Sequence, residues 1–306
     1  MDDVDEHDAC GYCALKVSQP ANAWEAFALH TLCARLSPTA RNIVISPLVF
    51  YLYQDESYLV LPYNEQGTLL DHANGRMAKG TSVDEVVAAF FVCELLRAVA
   101  QLHAVDILHG NIRPENILVR LDDDPELAAW SSTYDPTGGG GWRHKGVCLI
   151  DFRRSVDLRQ YASGQRFRAG WHVDASDCPS ACTDQGFRLD ADWYGCATVA
   201  YALLHGRRLE LRDDSQQEEG GVHSETTRLA PREQVRAGWD AALWDETFDR
   251  LLNVAPTQPD DEVEKDMAAL IKRFEDWLTQ HSTRPGKSLK AALNRVQLEA
   301  MDRATL

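Results

Sequence analysis

The sequence predicts an α+β fold, with a small, mostly β part over 1–63 and a larger helical part over 64–306. The first sign is a set of β-rich runs before position 63: Ala14-Leu15-Lys16-Val17, Asn42-Ile43-Val44-Ile45, Leu48 to Tyr53 and Ser57 to Leu61. The second is helical periodicity from Ser82 to Val105, with Val86, Val87, Phe90, Phe91, Leu95, Leu96, Val99 and Leu102 apolar. The third is the polar loop that this helix delivers, His109-Gly110-Asn111-Ile112-Arg113-Pro114-Glu115-Asn116, which runs into Ile117-Leu118-Val119.

Composition bounds the function. A chain of 306 residues at 44% hydrophobic content suits one large or two small domains. A formal charge of −16 argues against nucleic acid as a main partner and against anionic membranes. No apolar run is expected to approach bilayer-spanning length, and no secretory leader is expected at the start. The eight cysteines lie scattered in apolar stretches and read as reduced core residues. Cys10 and Cys13 have zinc-like spacing, and Cys178 and Cys182 could add two ligands. A plain strand is the preferred reading, and no metal site is expected.

Taken in order, the strand ending near Lys16 leads to a helix from Asn22, its expected N-cap, through Leu32. Glu25 sits in the first turn of that helix, so Lys16 and Glu25 are a candidate ion pair. Pro62 to Gly67 is expected to be a hinge, followed by a short helix from Thr68. Ser82 and Glu85 have the spacing of a capping box. Acidic and glycine-rich composition marks an insertion near 121–146 as a mobile surface segment, and a second polar insertion falls near 213–234. Gly138 to Gly141 lack the strand-to-helix setting of a phosphate loop. Helices are expected again over 196–204, 239–252, 260–280 and 287–303.

The loop at His109 resembles the catalytic loop of protein kinases, and Val147-Cys148-Leu149-Ile150 before Asp151-Phe152-Arg153 resembles their metal-binding turn. This resemblance implies a bilobal kinase fold. It also implies nucleotide- and Mg²⁺-binding roles for Lys16, Glu25, Asn116 and Asp151, here as vestiges. Kinases place an Asp base where Asn111 stands, and an amide cannot take that proton. Arg153 replaces a Gly whose backbone freedom lets the turn move. No glycine-rich loop precedes Lys16, where the stretch from Asp2 to Asp8 is acidic. Asp192 matches the Asp that ties the loop to a buried helix.

Lys16-Val17-Ser18-Gln19-Pro20-Ala21-Asn22-Ala23-Trp24-Glu25 is similar to the Bub family of mitotic spindle-checkpoint proteins. Further matches are Gly67 to Leu70, Ser155 to Leu158, Asp192 to Gly195, Trp244 to Phe248 and Leu251 to Asn253. Active members of that family keep Asp, Lys and Gly where this chain has Asn111, Arg113 and Arg153. Other members are pseudokinases, as is a Bub-like kinetochore protein of kinetoplastids, which the chain resembles most. The resemblance implies a catalytically inactive scaffold or docking module at the nuclear kinetochore. Its partners would be kinetochore or checkpoint proteins, and no cofactor is expected. The alternatives are a divergent active Ser/Thr kinase using ATP and Mg²⁺, or a nucleotide-binding switch without transfer.

Overall fold

The computed structural model describes residues 12–78, 80–127, 129–213, 228–283 and 288–304. The acidic start, Cys10 and most of the second insertion lie outside these. The chain opens with β1 (Cys13–Ser18), then α1 (Trp24–Arg35), β2 (Val49–Leu52) and β3 (Ser57–Pro62). These strands form an antiparallel sheet in the order β1-β3-β2. Alternation sets the faces of β1. Cys13, Leu15 and Val17 are exposed, whereas Ala14, Lys16 and Ser18 are half-buried on the opposite face.

The second part holds α2 (Leu69–Ala78), α3 (Glu85–Ala104), β4 (Ile107–Leu108), β5 (Ile117–Leu121), β6 (Lys145–Leu149) and β7 (Val156–Asp157). There follow α4 (Leu189–His205), β8 (Leu211–Asp213), β9 (Leu229–Pro231), α5 (Ala241–Leu252), α6 (Asp260–His281) and α7 (Leu289–Ala304). β5 pairs with β6 and β4 with β7, both antiparallel. These two ladders fix the loop at His109 and the turn at Asp151 side by side.

α3 is the central element. Phe90, Phe91, Leu95, Leu96, Val99 and Leu102 are all within 1% of full burial. By length and composition this helix could cross a membrane, which corrects the expectation that no apolar run approaches that length. It passes that test because it is a core helix, with 78% of its apolar window buried inside the protein and Glu94, Arg97 and Gln101 confined to one stripe.

Three local expectations also change. Asn42 to Ile45 is a turn of 3₁₀ helix followed by a single bridge from Val44 to Leu149, because Ile43, Val44 and Ile45 are spent filling the core. The capping box at Ser82 does not form. α3 starts at Glu85, whose Oε1 instead accepts from the Asp240 backbone N–H at 2.6 Å and Trp244 Nε1 at 3.1 Å. The segment near 121–146 is anchored in the core by its later part, while Asp122, Asp123 and Pro125 to Leu127 stay exposed. Trp142 and Tyr134 are 3% exposed, and the Trp142 ring lies 5.8 Å from Phe90 and 4.7 Å from Trp130.

Candidate active site

β1 directs Lys16 inward, and α1 brings Glu25 to meet it. Lys16 Nζ donates to Glu25 Oε1 at 2.8 Å and lies 2.7 Å from Oε2. Glu25 is 5% exposed, and its Oε1 also accepts from the Phe152 backbone N–H at 3.2 Å. The expected helix forms one residue late, with Ala23 as N-cap and Trp24 as its first residue, and Asn22 Oδ1 accepts from the Trp24 N–H at 2.9 Å. Two contacts invisible to sequence spacing hold α1 in place. Trp24 Nε1 donates to the Ser155 carbonyl at 2.9 Å. At the other end, Arg35 forms a two-pronged pair with the buried Asp157 carboxylate at 2.8 and 2.7 Å.

Asp151 follows β6 in the left-handed region at φ 67°, a conformation Asp tolerates better than most residues. Its carboxylate collects four donors. Oδ1 accepts from Lys16 Nζ at 2.6 Å and Arg153 Nε at 2.6 Å. Oδ2 accepts from Asn111 Nδ2 at 2.6 Å and Arg153 Nη2 at 3.3 Å. Burial pushes the Asp151 pKa up, but the hydrogen bonds from Arg153 and Lys16 outweigh it and hold the carboxyl well below its usual range.

The loop itself is braced from beneath. Asp192 is fully buried and accepts from the backbone N–H groups of His109 and Gly110, both at 2.8 Å, and from His103 Nε2 at 3.0 Å. Burial raises its pKa, but the His103 contact and nearby charges hold it down overall. Gly110 adopts φ 70°, and a Cβ there would meet the Arg154 carbonyl oxygen at 2.5 Å. Asn116 Nδ2 donates to the Asn111 carbonyl at 3.0 Å. His109 packs 4.5 Å from the Phe152 ring and is bonded through Nε2 to the Ile150 carbonyl at 3.1 Å.

The structure thus gathers Lys16, Glu25, Asn111, Asn116, Asp151 and Arg153 in one place. Arg113 stands apart. It is drawn to Asp174 at 3.2 Å and Asp177 at 2.9 Å, and Arg154 joins Asp177 at 3.0 Å. Asp174 and Asp177 escaped the sequence reading because their distance along the chain carries no signal. Cys13, Cys178 and Cys182 are free thiols, and Cys10, the other residue with zinc-like spacing, lies outside the described residues.

A divalent cation fits this arrangement poorly. A carboxylate offers about four lone-pair sites, and the four donors on Asp151 fill them. Mg²⁺ demands oxygen ligands in near-octahedral order, and here Asp151 would have to shed Arg153 or Asn111 first.

Comparison with known proteins places this geometry. The model of the family described as "Protein kinase domain" matches residues 31–274. The chain is 30% identical to the fission yeast (Schizosaccharomyces pombe) spindle assembly checkpoint serine/threonine-protein kinase bub1, covering 93% of the chain and 27% of that protein. It is 32% identical to the Saccharomyces cerevisiae BUB1 kinase, covering 78% of the chain and 23% of that protein. For the Arabidopsis thaliana mitotic checkpoint kinase BUB1 the figures are 28%, 85% and 48%. The chain therefore spans about a quarter of the two yeast relatives and about half of the plant one. The crystal structure of the BubR1 kinase domain superposes with a TM-score of 0.70 at 22% identity, over 94% of this chain and 77% of that one, which shows the fold.

The expectation of a non-enzyme is corrected by these relatives, which are named serine/threonine kinases. The sequence reading rested on Asn111 at the base position, Arg153 in place of Gly and the missing glycine-rich loop, but positioning and charge carry most of phosphoryl transfer in this fold. The relatives lend no support to the narrower likeness to a kinetoplastid kinetochore protein. The chain belongs to the protein kinase domain family and is similar, within it, to the Bub1 checkpoint kinases.

Proposed function

We propose that this chain is the serine/threonine kinase domain of a Bub-type checkpoint protein, binding ATP between its lobes and transferring phosphate slowly. The observation that carries the reading is the assembled group of Lys16, Glu25 and Asp151, with α1 tethered at both ends. An inward Lys with a fixed charge partner is what a nucleotide's phosphates need. Asn111 cannot accept the substrate proton, but its amide oxygen can still orient a hydroxyl. A positioned base is worth about 10²–10⁴ in rate, so its loss slows transfer without removing the rest. The relatives' checkpoint names support a nuclear, kinetochore setting with checkpoint proteins as partners and a docking role beside transfer. The charge of −16 favours a basic partner and salt-sensitive binding.

Thermal unfolding with ATP, followed by transfer to a serine/threonine substrate, tests this. ATP at 100 times its dissociation constant stabilises by about 2.7 kcal/mol, and Lys16→Ala is expected to abolish that shift and the transfer together. A Lys16→Ala protein that keeps both would overturn the reading.

A further inference from the structure

Resting on the ATP reading above, we infer that Arg153 is a built-in counter-ion that takes the divalent metal's place beside Asp151, so that ATP binds without Mg²⁺. The argument starts from the acceptor count. Asp151 Oδ1 already holds Lys16 Nζ and Arg153 Nε at 2.6 Å each. Oδ2 holds Asn111 Nδ2 at 2.6 Å and Arg153 Nη2 at 3.3 Å. An arriving metal would meet two fixed cations on one carboxylate and no vacant oxygen.

The charges point the same way. Lys16 and Arg153 balance Glu25 and Asp151, so the group is neutral before nucleotide arrives. The other nearby guanidiniums are committed elsewhere, Arg113 to Asp174 and Asp177 and Arg154 to Asp177. The phosphates must therefore be met by Lys16 and Arg153. Arg153 suits this: its side chain is 52% exposed, and Asp151 takes only two of its donors. A guanidinium has five N–H donors in a fork that matches phosphate oxygens.

The test is calorimetric titration of ATP into the whole chain, once in EDTA and once in Mg²⁺, for the natural protein, Arg153→Gly and Arg153→Gln. The natural protein is expected to bind equally well, within about threefold, in both buffers. Both variants are expected to weaken by about tenfold or more in EDTA and to recover in Mg²⁺. Arg153→Gln keeps the side chain's bulk, so agreement of the two variants assigns the effect to charge rather than to a freed backbone. The inference is overturned if natural-protein binding collapses in EDTA, or if the variants show the natural protein's metal dependence. Mg²⁺-dependent binding defeats this inference alone, whereas no ATP binding in either buffer defeats the ATP reading and this inference with it.

Discussion

Asn111 is a partner of Asp151 as well as a missing base, and the two roles pull a substitution in opposite directions. Asn111→Asp would restore the proton acceptor and raise transfer by about 10²-fold or more. It would also set a second carboxylate where Nδ2 now donates across 2.6 Å. Two such carboxylates cannot both ionise cheaply, so one is held protonated to higher pH. Asn111→Asp is therefore expected to unfold at lower urea than the natural protein at pH 7, with the gap closing as pH falls and the pair takes up a proton. A transfer rate that does not rise would show that the amide is not what limits turnover. His72, on α2, gives a second residue-scale expectation. Burial, and then the charge of Arg303, lower its pKa from 6.5 to about 4. The neutral ring suits its setting, bonded to the Gln66 carbonyl at 2.9 Å with Arg303 Nη2 3.4 Å away. The unfolded chain takes up this proton below about pH 6.5 while the folded one refuses it until about pH 4, so stability falls across that window. The unfolding free energy read from urea titrations should drop between these pH values, by on the order of 3 kcal/mol in all from this residue. His72→Gln should flatten the fall, and an unchanged slope would assign it to other groups.

At the scale of elements, the insertion near 121–146 shows how composition misleads. Asp122 and Asp123 are solvent-facing as their composition suggests, yet Trp130, Tyr134 and Trp142 anchor the rest of the segment on α3 through Phe90. Gly140 and Gly141 have φ of 60° and 88°, which lets the chain turn sharply over these rings. Trp142→Ala should cost about 3–5 kcal/mol, read as a loss in chemical denaturation. A loss under about 1 kcal/mol would return the segment to the status of a surface loop. α1 makes the complementary point. Its position, and so that of Glu25, depends on Trp24 and Arg35 reaching Ser155 and Asp157 beyond the Asp151 turn. The helix that carries the ion pair is thus coupled to the segment that follows the site.

At the scale of the whole molecule, α3 organises both halves of the chemistry. It packs against α4, α6 and β6, and it ends where β4 begins the loop at His109. Its last turn supplies His103 to Asp192, so the helix that forms the core also steadies the loop's backbone through a buried carboxylate. The site is therefore rigid where it is deepest and open where Arg153 meets solvent.

Much of this was legible in the sequence. Lys16, Glu25, Asn111, Asn116, Asp151 and Asp192 were readable because each sits at a fixed offset within a local motif, and local offsets survive in the chain. The long helices were readable from their apolar period, α3 included, although only burial shows that α3 is a core helix. What only the tertiary structure decided lies between residues far apart along the chain. Arg113 leaving for Asp174 and Asp177, Arg35 clamping Asp157 and Glu85 serving α5 are all choices among polar and charged partners. Coulomb attraction and hydrogen bonding reward whichever groups burial brings within reach, and which groups meet is set by the packing of whole elements, which no single stretch of sequence contains.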